Sequence, residues 1–189
     1  LRKNGERYGA CPRTFLKDVI KHAADRGIRV QAAFEDEFYL CKQHPETGMW
    51  EPADDSGLYH ETGLDYQGKF HTTMVRTLRS MGMMPEMVYH EGGPGQQEIS
   101  IHHEHALKAA DNQMKLRNAV RGVAHTMGYR ASFAPKPFPW TFGNGAHVHM
   151  SIWDMETSKN LMYDAGAEEQ FSQMGRYFVG GLLTHMPAL

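Results

Sequence analysis

The sequence contains little cysteine: Cys11 and Cys41 are its two cysteines, and neither belongs to a CxxC pattern. This spacing indicates neither a disulfide scaffold nor a thiolate zinc site, and a reducing cytoplasm is the simplest setting for it. No apolar run approaches the roughly 20 residues that a membrane helix needs, and the first residues form no signal-peptide pattern. We therefore expect a cytoplasmic protein that has no membrane partner.

An excess of basic charge is also missing. Lysine and arginine number 20 against 22 aspartates and glutamates, which gives a formal net charge of -2. Without a basic field, general binding to nucleic acid is not expected, so any polyanion must be held locally. The phosphate-binding loops GxxxxGK[ST] and GxGxxG are absent too, so a nucleotide would have to be held through metal ions and scattered side chains.

The sequence does contain enough apolar residues to form a hydrophobic core. Its 189 residues are 41% hydrophobic and 22% charged, which excludes disorder and fits one domain or two small ones. Twelve histidines are a generous share. Leu1 stands where an initiator methionine would be expected, which suggests a piece of a longer protein.

Hydrophobic periodicity predicts alternating helices and strands, with a long surface loop over residues 43–64. One predicted helix starts after Pro12 and ends at Gly27. Three further predicted helices cover 64–80, 104–127 and 167–185. The predicted strands cover 28–40, 84–91, 97–102, 129–135 and 146–153. Strands mixed with helices of every length indicate an α+β fold.

Three groups of residues on the predicted strands could carry chemistry. Glu35 and Glu37 are two positions apart, so their side chains point the same way, about 7 Å apart. They form either a solvated strand face or a pair whose repulsion a metal ion offsets.

The second group is His147, His149 and Ser151, which share one strand face after the flexible loop 143–145. Imidazoles suit several metals and a serine can bond a phosphate oxygen, although two histidines in a wet core are the alternative.

The third group is Glu91 and Glu98, which flank a glycine-rich turn. The turn could bring the two carboxylates to one ion, or it could be a simple acidic hairpin. Taken together, four glutamates and one histidine on strands fit a hard cation such as Mg²⁺ or Mn²⁺.

These blocks, in this order, resemble the signatures of the glutamine synthetase family's catalytic domain. The blocks are Glu35-Asp-Glu-Phe38, Glu91 to Glu98 with its Pro-Gly-Gln-Gln core, and Lys136-Pro137 followed by Gly143-Asn-Gly-Ala-His-Val-His-Met-Ser151. The resemblance implies a mainly antiparallel curved sheet flanked by helices. It also implies that residues 1–189 are a partial catalytic domain, without the family's N-terminal β-grasp domain and the C-terminal part of the catalytic domain.

The resemblance further implies an ATP-dependent ligase of nitrogen metabolism. Such an enzyme joins ammonia or an amine to the γ-carboxyl group of glutamate through γ-glutamyl phosphate, with two Mg²⁺ or Mn²⁺ ions. Its full-length form is expected to be a homo-oligomeric ring, and the fragment alone is expected to be inactive. The alternatives are a non-catalytic scaffold or regulatory relative, and a metal-dependent hydrolase that is indifferent to ATP.

Residue roles follow from the resemblance position by position. Glu37, Glu91 and Glu98 match ligands of the first ion, and Glu35 and His147 match ligands of the second. Glu91 also lies where the family helps to deprotonate the incoming ammonium or amine.

Further roles concern the nucleotide and the glutamate. The positions that match nucleotide contacts are Glu86, His103, His149 and Ser151. His103 falls where the family usually stacks an aromatic ring on adenine, and Gly143 matches the loop glycine beside bound glutamate. Leu58 stands where the family has a tyrosine near the amine pocket, and Tyr59 is one position off, so no residue is assigned to that role. This difference, the bulky loop 139–142 and the Pro-Gly-Gln-Gln turn together favour larger amines such as polyamines, ethanolamine or methylamine.

Overall fold

The computed structural model describes residues 3–188 of the chain. Its helices are α1 (Pro12–Ala24), α2 (Glu61–Tyr66), α3 (Gly68–Ser80), α4 (Ala106–Thr126) and α5 (Gln173–His185). Its strands are β1 (Ile28–Gln43), β2 (Trp50–Pro52), β3 (Pro85–His90), β4 (Gln96–Ile101), β5 (Glu104–His105), β6 (Arg130–Ser132) and β7 (Ala146–Asp154). Short 3-10 turns cover Glu168–Gln170 and Met186–Ala188. No helix in residues 3–188 is both long and apolar enough to cross a bilayer.

The chain divides into two compact units. We call the first the terminal unit; it contains the chain up to Ala32, Glu104–Ala109, and the chain from His149 onward. The second, the central unit, is formed by Ala33–His103 and Ala110–Val148. In the terminal unit the start of β1 pairs with β5, and the Met155 N–H donates to the Gly27 carbonyl over 2.9 Å.

The strands form a sheet in which β2, β1, β4 and β3 are neighbours in that order, and β5, β6 and β7 also pair with β1. The pairings of β1 with β2, β4, β5 and β6, and of β3 with β4, are antiparallel. The expectation of an α+β fold with a mainly antiparallel sheet and flanking helices is therefore confirmed.

The core of the central unit lies between one face of the sheet and helices α3 and α4. Every second residue of the strands and every third or fourth residue of the helices faces it, as their periods require. The buried residues that form this core include Phe38, Leu40, Phe70, Met74, Leu78, Ile99, Ile101, Leu116, Val120 and Ala124. Because this face is apolar, the polar residues that alternate with it along β1 and β4 lie on the opposite face.

Asp36 is an exception to that alternation. It lies on the core face of β1 beside Phe38 and is 1% exposed. The Gln113 amide of α4 donates to Asp36 Oδ1 over 2.8 Å. Burial raises the pKa of Asp36, while this hydrogen bond and the nearby Arg117 and Arg121 act in the opposite direction. Helix α4 thus supplies a hydrogen-bond donor to one of the two oxygens of this buried carboxyl group.

The prediction of an irregular loop over residues 43–64 is wrong in part. Trp50–Pro52 forms β2 opposite Cys41–Gln43 of β1, and the Ala53 N–H donates to the Leu40 carbonyl over 2.8 Å. Helix α2 begins within the same stretch. The short strand is recognisable only by its partner, because its composition is that of a loop.

Three predicted helix boundaries also move. The helix predicted over 64–80 is two helices, interrupted at Gln67, whose backbone is not helical. Residues 104–105 pair as β5, so α4 starts later than predicted. The last helix starts at Gln173 because Ser172 caps it, accepting the Gly175 N–H over 2.9 Å, and Glu169 has a left-handed φ of 55°.

Gly63 of α2 gives a testable packing constraint. A Cβ at Gly63 would lie 1.9 Å from Cδ2 of the buried His90 ring. We expect Gly63→Ala to lower the free energy of unfolding by about 2 kcal/mol or more, because overpacking forces the ring or the helix to move. Urea denaturation measures the difference.

Gly122→Ala is the matched control for this substitution. Gly122 lies in the exposed interior of α4, and nothing approaches its Cβ position within 4 Å. Alanine there should be neutral or stabilise by up to about 1 kcal/mol through helix propensity. Equal effects of the two substitutions would contradict the packing argument.

Candidate active site

The strand register explains why the predicted carboxylates share one face. Glu37 of β1 is directly opposite Glu98 of β4, and Glu98 is directly opposite Tyr89 of β3. Directly paired residues of an antiparallel sheet point to the same side. Glu35 and Glu91 lie two positions along from Glu37 and Tyr89, so alternation directs them to that side as well.

The structure brings together one ligand atom each from Glu35, Glu98 and His147, all within 4.8 Å of one another. His147 Nδ1 lies 3.4 Å from Glu35 Oε2. Two ligand atoms that each bind one divalent ion at about 2.0–2.5 Å lie roughly 3–5 Å from each other, as these atoms do. The donor set of carboxylate oxygens and one imidazole nitrogen therefore fits a divalent cation.

The pKa values of the carboxyl groups in and beside this cluster also favour a bound cation. Burial raises the pKa of Glu98 to about 7, and the neighbouring charges of Glu35, Glu91 and Glu37 add to the rise. Burial and the charge of Glu37 also raise the pKa of Glu91. Carboxyl groups crowded in this way retain protons, and a bound cation would replace those protons.

The turn that follows Glu91 is shaped by close backbone contacts. The Gly92 N–H donates to Glu91 Oε2 over 3.2 Å. A Cβ at Gly93 would lie 2.0 Å from the Tyr39 hydroxyl oxygen, so only glycine fits there. Gly95 has a φ of 70°, in the left-handed region, and its N–H donates to the buried Asp54 carboxylate over 2.8 Å.

The loop before His147 is held equally closely. Tyr39 donates its hydroxyl hydrogen to the Phe142 carbonyl over 2.7 Å. The Asn144 amide donates to two backbone carbonyls, those of Ser132 and Ala134, over 3.1 and 2.8 Å. A Cβ at Gly145 would lie 2.8 Å from Glu37 Oε1, so the backbone of this loop passes directly beside that carboxylate.

The residues matched to nucleotide contacts fall into separate groups. In the central unit, Glu86 Oε1 lies 2.5 Å from Nδ1 of His102, whose ring centroid is 4.2 Å from that of His103. His149 and Ser151 belong to the terminal unit, where Ser151 Oγ accepts the indole N–H of Trp153 over 2.8 Å. Gly143 lies in the loop of the central unit that precedes β7, the strand to which His147 belongs.

Sequence reasoning gave no role to Gln96 or Tyr39. Both lie on the site face of the sheet, opposite each other in the register. Alternation from Glu37 and Glu98 could have found them. It also missed the buried network of Asp54, Ser56 and His90, for which the sequence offers no signal.

Comparison with known proteins identifies the family. The sequence profile described as "Glutamine synthetase, catalytic domain" matches residues 9–189. The chain belongs to this family. The chain is similar to the glutamine synthetase of Pyrococcus abyssi, with 38% identity over 189 residues, covering 99% of this chain and 41% of the relative. The glutamine synthetase of Mycobacterium tuberculosis is 36% identical over 183 residues, covering 96% of this chain and 41% of the relative.

Solved structures agree with that assignment. A structure described as a novel glutamine synthase homolog superposes with a TM-score of 0.89 at 32% identity, over 100% of this chain and 42% of that chain. A ligand-free GmaS structure gives 0.86 at 30% identity, over 96% of this chain and 43% of that chain. The chain spans about two fifths of the length of these relatives.

The raised pKa of Glu98 predicts a pH dependence of stability in the metal-free protein. The ordinary pKa of 4.5 applies when the chain is unfolded, and about 7 when it is folded. The proton that Glu98 retains therefore stabilises the fold fully below pH 4.5, and this contribution is lost as the pH rises through 7. We expect a loss on the order of 2 kcal/mol between pH 5 and 8.

Urea denaturation in EDTA at several pH values checks this expectation. The comparison is with Glu98→Gln, which cannot ionise and should lose less stability over the same range. Parallel pH profiles of the two proteins would contradict the expectation.

Proposed function

We propose that this chain is part of an ATP-dependent ligase that joins ammonia or an amine to the γ-carboxyl group of glutamate through γ-glutamyl phosphate. The observation that carries the proposal is the cluster of Glu35, Glu98 and His147 in a chain of the glutamine synthetase family. A scaffold or regulatory role would not require these ligand atoms to converge. For the full-length protein we also propose a homo-oligomeric ring.

We assign two Mg²⁺ or Mn²⁺ ions to the site. Glu37, Glu91 and Glu98 would hold the first, and Glu35 and His147 the second. When bound, such ions neutralise charge on the phosphate oxygens during phosphoryl transfer. Glu98 lies near the proposed ligands of both ions. Its ligand atom groups with those of Glu35 and His147. The charges of Glu91 and Glu37 add to the effect of burial in raising its pKa.

Other residues would bind and orient the reactants. Glu91 would accept the proton of the incoming amine, and the Gly92 N–H, which donates to its Oε2, orients the carboxylate. Gly143 would contact glutamate. The nucleotide would be contacted by Glu86, His103, His149 and Ser151.

Apolar side chains beside Glu91 support an amine with a carbon substituent. A Cβ at Gly92 would lie 3.1 Å from ring carbons of Phe142 and 3.3 Å from Leu58 Cδ1, so both side chains converge on the residue after Glu91. Both are more than half exposed. We call the side chains of Phe142 and Leu58 the apolar wall. An ammonium ion would find no hydrogen-bond partner on these two side chains, whereas an alkylammonium could bury its alkyl group against them.

An amine panel tests the proposal on the full-length protein with ATP, glutamate and Mn²⁺. We expect ADP release to depend on an amine, with a higher kcat/KM for methylamine, ethanolamine or putrescine than for ammonium. Phe142→Ala should lower the ratio of amine to ammonium kcat/KM by about tenfold, which corresponds to losing apolar contact of roughly 1.4 kcal/mol.

Trp140→Ala is the control for this panel. Trp140 is an exposed aromatic of the same loop, and its ring contacts Phe138, 5.7 Å away between centroids. Its removal should leave the ratio unchanged. A full-length preparation that releases no ADP with glutamate and any amine would count against the ligase, and equal effects of the two substitutions would count against the apolar wall.

Calorimetric titration with Mn²⁺ separates a ligase from a scaffold. We expect the unsubstituted chain to bind Mn²⁺ and Glu35→Gln to weaken this binding at least tenfold, because a charged ligand becomes a neutral amide. Glu51→Gln is the control: Glu51 lies in β2 and pairs with Lys42 at 4.0 Å. Absence of Mn²⁺ binding would favour the scaffold, and metal binding without ATP dependence would favour the hydrolase.

A further inference from the structure

Gln96 is a buried amide at the centre of the candidate active site. It is the first residue of β4, its Cα is opposite that of Tyr39, and it is 1% exposed. It lies two positions before Glu98, so alternation directs its side chain to the carboxylate face. No role was assigned to it from the sequence.

The hydrogen bonds of Gln96 join three separate segments. Its Nε2 donates to Glu37 Oε2 over 3.0 Å, to the Gly143 carbonyl over 2.9 Å and to Asn144 Oδ1 over 3.1 Å. Its Oε1 accepts the Gly93 N–H over 2.9 Å. Two amide hydrogens thus serve three acceptors, so the donor capacity of the side chain is fully used inside the protein.

Each segment carries a group of the proposed machinery. Glu37 is a proposed ligand of the first ion, Gly143 is the proposed glutamate contact, and Gly93 lies in the turn that follows Glu91. We propose that Gln96 is a positioning residue: it fixes the Glu37 carboxylate relative to the glycine loop and the Glu91 turn. This role rests on the proposed function, because it assigns a purpose to groups of that site.

The physical basis is orientation of a ligand by a neighbouring hydrogen bond. An amide donor on Oε2 restricts rotation of the Glu37 carboxylate, and hydrogen-bond partners of metal ligands commonly change metal affinity by 10–100-fold when removed. The same amide holds the Gly143 carbonyl, so its loss frees the loop as well. Metal affinity and glutamate binding should therefore weaken together.

Gln97 is a matched control within the same strand. It is also fully buried, but it faces the core, where His71 Nε2 lies 2.7 Å from its Oε1. Gln97→Met and Gln96→Met each remove one buried amide from neighbouring positions of β4. Only Gln96→Met removes a contact to a proposed ligand.

The experiment compares both variants in the full-length protein by calorimetric titration with Mn²⁺, steady-state kinetics and thermal denaturation. We expect Gln96→Met to raise the Mn²⁺ dissociation constant and the KM for glutamate at least tenfold. Gln97→Met should leave both within about twofold, although either variant can lower Tm. Gln96→Asn, which keeps an amide that is one methylene shorter, should give a smaller change in the same direction and covers the case in which Gln96→Met does not fold.

Two results would overturn the positioning role: a fall in Tm of the Gln96 variants without any change in Mn²⁺ affinity, or equal changes in Mn²⁺ affinity for Gln96→Met and Gln97→Met. If the unsubstituted protein has no ligase activity, the proposed function fails. The Mn²⁺ comparison does not depend on turnover, so it still decides whether Gln96 orients the ligands.

Discussion

The candidate site depends on the antiparallel register that sets Glu37 directly opposite Glu98. Like charges in directly opposed positions destabilise a sheet, and further glutamates on the same face add to the repulsion. The other face of the same strands prevents relief, since a slip of one residue would bury Glu37 and expose Phe38. The apolar core therefore holds the carboxylates together, and burial, with the added charges of Glu35, Glu91 and Glu37, raises the pKa of Glu98. A divalent cation bound between the carboxylates would relieve their repulsion without moving a strand.

Backbone, rather than flexible side chains, forms much of the surface around these carboxylates. The closest approaches are at glycines: a Cβ at Gly93 would meet the Tyr39 hydroxyl at 2.0 Å, and one at Gly145 would meet Glu37 at 2.8 Å. A backbone surface has few side-chain rotamers to order when a ligand binds, so less conformational entropy is lost on binding. Gln96 adds hydrogen bonds between the two glycine segments and Glu37. The geometry is thus set largely by the fold itself.

Much of the fold and the cluster could be predicted from the sequence because both follow from local periods. Strand alternation predicted β1 and the shared face of Glu35 and Glu37, and the glycine-rich turn indicated that Glu91 and Glu98 could converge. The features that were missed depend on partners distant in sequence: β2 exists through its pairing with β1, and Asp36 is buried because α4 supplies Gln113. The resemblance assigned ligands to ions, but no sequence pattern could group Glu98 with the second pair.

One buried carboxylate connects the two parts of the proposed amine site. Burial alone would raise the pKa of Asp54, yet hydrogen bonds from Ser56, Gln67 and Gly95 lower it, so the group stays charged at neutral pH. Its bond to the Gly95 N–H fixes the turn that follows Glu91, and its bonds to Ser56 fix the segment that leads to Leu58. Ser56 Oγ also lies 2.5 Å from Nε2 of His90, the residue before Glu91. The segments that carry Glu91 and Leu58 are therefore both anchored to the Asp54 carboxylate, and a displacement of one segment would be transmitted to the other.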